Sequence, residues 1–422
     1  MKGSTRRSFL KGLGSGVLGV SAVASGGLTV GKPAHAADKP IKWGFLDCMS
    51  GTFGSFGKGN IGGTKLAIQE INEAGGILGR RVELILEDTE ANTEVASRKA
   101  RKMILRDKVD VIQGSASTST TTVIMQICGQ HEMLHLNSEF DSMSILKAKN
   151  DYSFTIAPLC EETERARMVG LKEIYPASEL KRWFVFYPDY SFGRDMRDMY
   201  VNELKRWVPE AELVGMTAHP FGETDYSTHI AKILKAEPQI VISCSWAGDV
   251  VNLIKQAKPL GFFEKTNFVM ATASTSAIMS LKEAMPQGIW VFTDQGNPYL
   301  PYMAEWRKKY LDYVGELPTA ESVSAYYDAV YMYKAAVEKA GSTDSKKVAQ
   351  VFTNLKYTGP SGQRNMTPNH MADVGFMPFY KLGKAEGFEW LVPVKMGKIP
   401  YEKVKYTNAE LIEHGCKWCK TV

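Results

Sequence analysis

Hydroxyls crowd one short stretch of this chain. Ser115, Ser117, Thr118, Ser119 and Thr120 stand between Gly114 and a run with helical spacing. At a helix N-terminus, free N–H groups, the positive end of the dipole and hydroxyl donors converge, which suits a carboxylate. Ordinary capping needs one hydroxyl rather than five, so the run reads as an anion cradle. Asn137, Ser138 and Glu139 follow another apolar run. Asp249 opens a further helical stretch, where N-capping is its plain role. Phe53, Phe56, Tyr190, Phe192 and Trp246 stand in similar places and could line an aromatic slot.

The spacing of apolar residues says what must hold these groups. Residues 42–46, 82–86, 109–112 and 133–136 are short β-rich runs. Between the first two, Ile61, Thr64, Ile68 and Ile71 recur at helical spacing until Gly75 and Gly76 stop the helix. Residues 94–106 and 118–130 also read as helices. This alternation predicts a parallel sheet covered by helices on both faces. It restarts at 183–186, with helices over 192–207, 226–234 and 249–257 and strands over 212–216, 239–243 and 268–270. Residues 152–162, between the two series, are expected to form a crossover. After a strand at 289–292 come helices at 302–314 and 320–340, then β-like runs around 376–382 and 388–394. Tyr326, Tyr327, Tyr331 and Tyr333 fit a helix packed on a sheet better than a stacking box. In open α/β sheets ligands sit beyond the carboxyl ends of strands. Every residue named in the first paragraph directly follows a strand run.

Composition excludes several classes. With 422 residues and 44% hydrophobic content the chain can fill packed cores, and two domains are the expectation at this length. The net charge of +5 comes from Lys2, Arg6, Arg7, Lys11 and Lys32, which leaves bases and acids equal at 46 each beyond residue 36. A nucleic-acid partner is therefore not expected. The glycine-rich loop 51–57 lacks the G-x-G-x-x-G spacing, and no Walker, H-E-x-x-H or G-x-S-x-G motif occurs. Neither an enzyme nor a cofactor is expected. Cys48 and Cys244 read as buried thiols or pocket lining rather than a bridge. In the tail, Cys416 and Cys419 form a C-x-x-C that suits a local disulfide or an unpaired tail, with a metal or redox role as the alternative.

The first residues read as an address. Thr5-Arg6-Arg7-Ser8-Phe9-Leu10-Lys11 resembles a twin-arginine export signal. A weakly apolar stretch over residues 12–30 follows, and then Ala34-His35-Ala36, an A-x-A cleavage pattern. The resemblance implies the twin-arginine export machinery as a partner, cleavage near Ala36 and a periplasmic mature protein.

The mature chain is similar to branched-chain-amino-acid-type substrate-binding proteins of ABC transporters. The carriers are the 50–57 loop, Ala67-Ile68-Gln69-Glu70-Ile71-Asn72 with residues 75–80, Asp88, the hydroxyl loop, Asp189-Tyr190-Ser191-Phe192-Gly193, Lys255-Gln256-Ala257 and Thr358-Gly359-Pro360. Their order over the chain is what is specific. The resemblance implies a type I periplasmic-binding fold: α/β, two similar lobes, each a parallel-rich sheet flanked by helices, joined by a multi-crossover hinge. Lobe 1 is expected over 37–158 plus 293–357, lobe 2 over 159–292 plus 358–405, and a tail over 406–422. It implies a small-molecule ligand (an amino acid, amide or aromatic acid) and ABC permease subunits as partners. A periplasmic ligand-sensing protein would share the fold and site. Ser117, Ser138 and Glu139 would hold the ligand carboxylate and help with its amine, Phe56 and Phe192 would shield it, and Asp249 would pair with its ammonium. An acid opposite a hydroxyl cradle fits a zwitterion. Glu139 stands where Thr is usual and Trp246 adds bulk, so a second acid in the pocket would favour a cationic ligand or amine.

Overall fold

The computed structural model describes residues 39–51, 54–271 and 275–421. The export-signal residues and Phe53 lie outside the described residues.

The first sheet holds β1 (Ile41–Asp47), β2 (Val82–Asp88), β3 (Val111–Gln113), β4 (His135–Asn137) and β5 (Ser153–Thr155) in the order β2-β1-β3-β4-β5. All neighbours run parallel. Parallel sheets need both faces covered, so Ile41, Trp43, Phe45 and Leu46 of β1 are all fully buried. Helices α1 (Gly54–Glu73), α2 (Thr93–Lys102) and α3 (Thr118–Gln130) supply the cover. Asn92 caps α2 by accepting from the Glu94 and Val95 amides. That helix stops at Lys102 and continues as a π-turn over Met103–Asp107, closed by left-handed Lys108.

Residues 156–159 then cross over, and the chain enters α4 (Cys160–Ile174). The expected crossover at 152–162 is thus shorter than the sequence suggested. Helix α4 was not legible because its buried face is charged. Glu161, Glu162, Glu164, Arg165 and Arg167 are all buried. Pairing offsets part of that cost: Arg165 Nε donates to Glu203 at 2.7 Å and Arg167 pairs with Glu164, while Glu161 accepts from the Met143 amide and Glu162 from the Leu159 amide and the Tyr401 hydroxyl.

The second sheet begins with β6 (Arg182–Pro188), β7 (Glu212–His219), β8 (Ile240–Ser243), β9 (Asn267–Met270) and β10 (Trp290–Phe292). Around them lie α5 (Ser191–Trp207), α6 (Ser227–Lys235), α7 (Ala247–Ala257), α8 (Phe262–Lys265) and α9 (Thr275–Leu281). The chain crosses back after β10. Helices α10 (Ala304–Val314) and α11 (Val323–Ala340) pack on α1, beside the first sheet. On α11, Tyr333 stands edge-on to Trp43 with ring centroids 5.3 Å apart, and Tyr327 and Tyr331 both donate to Glu70 Oε2. Helix α12 (Ser345–Phe352) follows.

A small antiparallel sheet of β11 (Thr358–Gly359), β12 (Gly362–Met366) and β13 (Ala372–Val374) makes the third passage. Its end touches the first sheet through a Thr155–Met371 bridge. Strands β14 (Phe376–Gly383) and β15 (Val392–Pro400) complete the second sheet in the order β15-β14-β10-β9-β8-β6-β7. The last β-run begins at Val392 rather than 388, because Phe388 and Trp390 pack as loop aromatics on Tyr299.

Arg364 of β12 ties the three passages together. It donates to Ile156 O at 3.1 Å, Asp294 Oδ2 at 2.8 Å and Asp328 Oδ2 at 2.9 Å. The tail ends in α13 (Asn408–Glu413) and a Cys416–Cys419 disulfide. Its Trp418 donates to Asp151, while Glu410 accepts from Arg165 and Arg206. Cys48, Cys128, Cys160 and Cys244 are free and buried.

Candidate functional site

Two glycines bring the helices of both sheets close to their strand ends. At Gly57 a Cβ would lie 2.2 Å from the Cys48 carbonyl oxygen, and at Gly193 it would lie 1.9 Å from that of Pro188. Only glycine permits either approach. Each places the preceding aromatic, Phe56 or Phe192, at the mouth between the sheets.

There Phe56, Thr118 and Glu139 from the first-sheet side meet Tyr190, Phe192 and Trp246 from the second around one cavity. Ala116, Phe140 and Glu321 complete its lining. The rings of Phe56 and Trp246 meet edge to face across it, centroids 5.1 Å apart. Trp246 Nε1 donates to the Tyr190 hydroxyl at 3.1 Å. Beside the cavity Ser119 and Ser191 hydroxyls touch at 3.0 Å, joining the first turns of α3 and α5. The cavity volume is about 30 Å³. That admits a water or two, not a molecule that fills a typical ligand pocket. A larger occupant requires the walls to part or the Trp246 side chain to swing.

Several expected residues serve the walls instead. Ser115 bonds Thr120 and its carbonyl accepts from Thr121, while Thr120 also donates back to Ser117 O. Much of the hydroxyl run therefore holds its own loop. Ser117 is the N-cap of α3 and makes no side-chain capping bond. Asn137 accepts from the Glu139 amide, and Ser138 faces Gln113 in the layer behind. Asp249 does not line the cavity. Its Oδ2 accepts from the Gly222 amide at 3.2 Å, and Tyr226 lies beside it. Burial raises its carboxyl to about 6.

Four acids are buried around the cavity floor. Asp47, at the end of β1, accepts from the Ala116 amide at 2.6 Å, the Cys48 amide at 2.7 Å and the Tyr326 hydroxyl at 2.8 Å. Glu139 accepts from Asn60 and Ser322, each at 2.9 Å, and from the Phe140 amide. Burial and the Asp47 charge push it up to about 8. Burial lifts Asp141 to about 7 despite nearby Thr118, Thr121 and Asn137. Burial and Glu139 together hold Glu321 well above the carboxylate range. Among the described residues, no lysine or arginine lines the cavity. Among the described residues, no cluster of three or more His, Cys, Asp or Glu side chains is placed to hold a metal ion.

Glu321 carries no signal of its own in the sequence, because it falls inside the helix expected at 320–340. The helix begins at Val323, so Glu321 sits in the turn before it. Phe140, next to an identified site residue, had no signal of its own.

A family model described as periplasmic binding protein matches residues 40–385. The Leu/Ile/Val-binding protein homolog 4 of Brucella abortus (strain 2308) is 23% identical over 83% of this chain and 86% of its own. The leucine-, isoleucine-, valine-, threonine-, and alanine-binding protein of Pseudomonas aeruginosa is 23% identical over 78% and 85%. Among solved structures, an amino acid ABC transporter substrate-binding protein from Pseudomonas fluorescens superposes with a TM-score of 0.77 at 22% identity, covering 90% of this chain and 99% of that one. A Rhodopseudomonas palustris ABC transporter solute-binding protein in complex with 3,4-dihydroxy benzoic acid gives 0.76 at 19% identity, over 87% and 98%.

Proposed function

Because the chain belongs to the periplasmic binding protein family, we propose that it is the solute receptor of an ABC importer. It binds an amino acid or a related small polar molecule between two lobes and presents the closed form to membrane permease subunits. The relatives named for amino-acid binding and for ABC transport support this reading. So does the cavity at the facing strand ends of the two parallel-rich sheets, the observation that carries it. The protein works in the periplasm. Its residues 1–36 are a twin-arginine signal removed near Ala36, and it binds its solute without transforming it.

The lobes divide at the three passages: 37–158 with 293–357 in one, 159–292 with 358–405 in the other, and 406–422 as a tail. Contacts to both lobes stabilise closure over opening. Phe56, Thr118, Glu139, Tyr190, Phe192 and Trp246 touch the solute. Ser115, Ser117, Asn137, Ser138 and Asp249 shape the loops that carry them.

A thermal-shift screen of amino acids, amides, polyamines and aromatic acids tests the reading, since a solute that binds only the folded chain raises its melting temperature. A hit that Trp246→Ala abolishes supports it. A hit unaffected by that change moves the site elsewhere.

A further inference from the structure

Among the described residues, five aromatic side chains and two carboxyls face one another in the cavity, and no basic group joins them. The rings belong to Phe56, Phe140, Tyr190, Phe192 and Trp246, and the carboxyls to Glu139 and Glu321. Both acids are at most 5% exposed. Neither they nor Asp47 and Asp141 make an ion pair among the described residues. Among the described residues, the donors reaching Glu321 are backbone amides, its own and that of Thr275 at 3.1 Å. A buried acid without a countercharge is costly to ionise, so such a group stays neutral until a cation arrives.

The place expected for a ligand carboxylate is partly filled already. The carboxylate of Asp47 takes the Ala116 amide at the hydroxyl loop, and Glu139 lies close enough to feel its charge. An anionic ligand group would stand beside these acids with no arginine or lysine to receive it. A cation meets the opposite situation. Ring faces attract positive charge, and hydrogen bonds between ammonium and carboxylate are among the strong ones.

We propose that the cleft selects a small organic cation, a protonated amine or quaternary ammonium with apolar substituents, seated between Glu139 and Glu321 against the aromatic rings. The inference rests on the cavity being the solute site and narrows its ligand class. Binding is coupled to protons. The cation enters as the carboxylic acid O–H ionises and its proton leaves to solvent, so each bound cation releases up to one proton per ionised acid. The groups facing Glu139 are Asp47 from β1, Asn60 from α1, Cys160 from α4, Glu321 and Ser322 from the turn before α11, and Tyr326 in its first turn. All are acidic or neutral, so none supplies the charge itself.

Isothermal titration of the mature chain at pH 8 with butylammonium, butyramide, butyrate and leucine separates the possibilities, because the first three differ mainly in charge. Butylammonium should bind at least about tenfold more tightly than the other three. Tetramethylammonium, whose charge does not titrate, should bind more tightly from pH 6 to pH 9, with proton release seen as a dependence of the heat on buffer. Glu139→Gln and Glu321→Gln, shown folded by their melting curves, should remove that release. If butyrate, butyramide or leucine binds as tightly as butylammonium and Trp246→Ala abolishes it, the cation assignment falls while the solute-receptor reading stands. If none of these probes binds and the wider screen also finds nothing, both fall.

Discussion

Buried carboxylates in this molecule live in two different settings. Asp294 and Asp328 are fully buried, and Arg364 bonds to both. Asp328 also accepts from Ser361 at 2.8 Å and Tyr357 at 3.1 Å. Asp47, Glu139, Asp141 and Glu321 are buried to a similar degree but make no ion pair among the described residues: Asp47, Glu139 and Glu321 accept from neutral donors, and the Asp141 carboxyl makes no hydrogen bond among those residues. The first group is complete, and it joins the three passages between the sheets. The second is short of positive charge; Glu139 and Glu321 line the cavity, and Asp47 bonds the amide of its lining residue Ala116. Burial alone thus does not distinguish a structural acid from a functional one. Compensation separates these two groups, since an unpaired buried charge is the expensive arrangement, while Asp249 and Glu161 are buried acids away from the cavity that also make no ion pair among the described residues.

The largest test of this contrast removes the cation that completes the first group. Arg364→Met leaves two acids facing each other and should cost about 3–5 kcal/mol. Urea denaturation measures it, and a loss below about 1 kcal/mol would mean the pair is not structural. Next in size is Trp246→Ala on the cavity side. Solute affinity should fall by about tenfold or more, as for a buried aromatic anchor, with the fold retained.

Glu139→Gln should act in the opposite sense on stability. Glu139 titrates near 8 when folded against 4.5 as its ordinary value. Its contribution is fully present below the lower value and is lost as pH rises through the higher one. The variant lacks this term, so its stability relative to wild type should grow from pH 5 to pH 8, by about 1 kcal/mol or more. Parallel pH dependence in the two proteins would show that Glu139 is ionised throughout. Tyr326→Phe removes one donor from Asp47 and should cost about 1 kcal/mol, read by the same denaturation. The smallest effect is expected for Asp249→Asn, whose carboxyl faces Gly222 and Tyr226 instead of the cavity. Solute affinity should change by less than about threefold, under 1 kcal/mol. A tenfold loss would return Asp249 to the binding surface.

Much of the architecture could be read from the chain. Helix α3 spans the expected 118–130, and β1, β6 and β9 fall within a residue or two of their apolar runs. Apolar periodicity records which face of an element is buried, and that is a local property. Helix α4 escaped because its buried side is charged, held by ion pairs and by neutral donors, and looks like a solvated face until the partners on α5 and in the tail are known. The small sheet β11–β13 escaped because strands of two to five residues carry too little pattern.

By itself the sequence established the alternation of strands and helices, the loops after the strands as the place for ligand chemistry, and the even charge balance beyond residue 36. Tertiary structure decided which members of those loops share a cavity. It turned Asp249 and Ser138 toward the walls, brought Glu321 in from the far end of the chain, and set Asp47 against the hydroxyl loop. The reason is physical. A strand or helix follows from neighbours a few residues away, whereas the compensation of a buried charge depends on groups 68 to 279 residues distant, as Asp47 with Ser115 and Tyr326 illustrates.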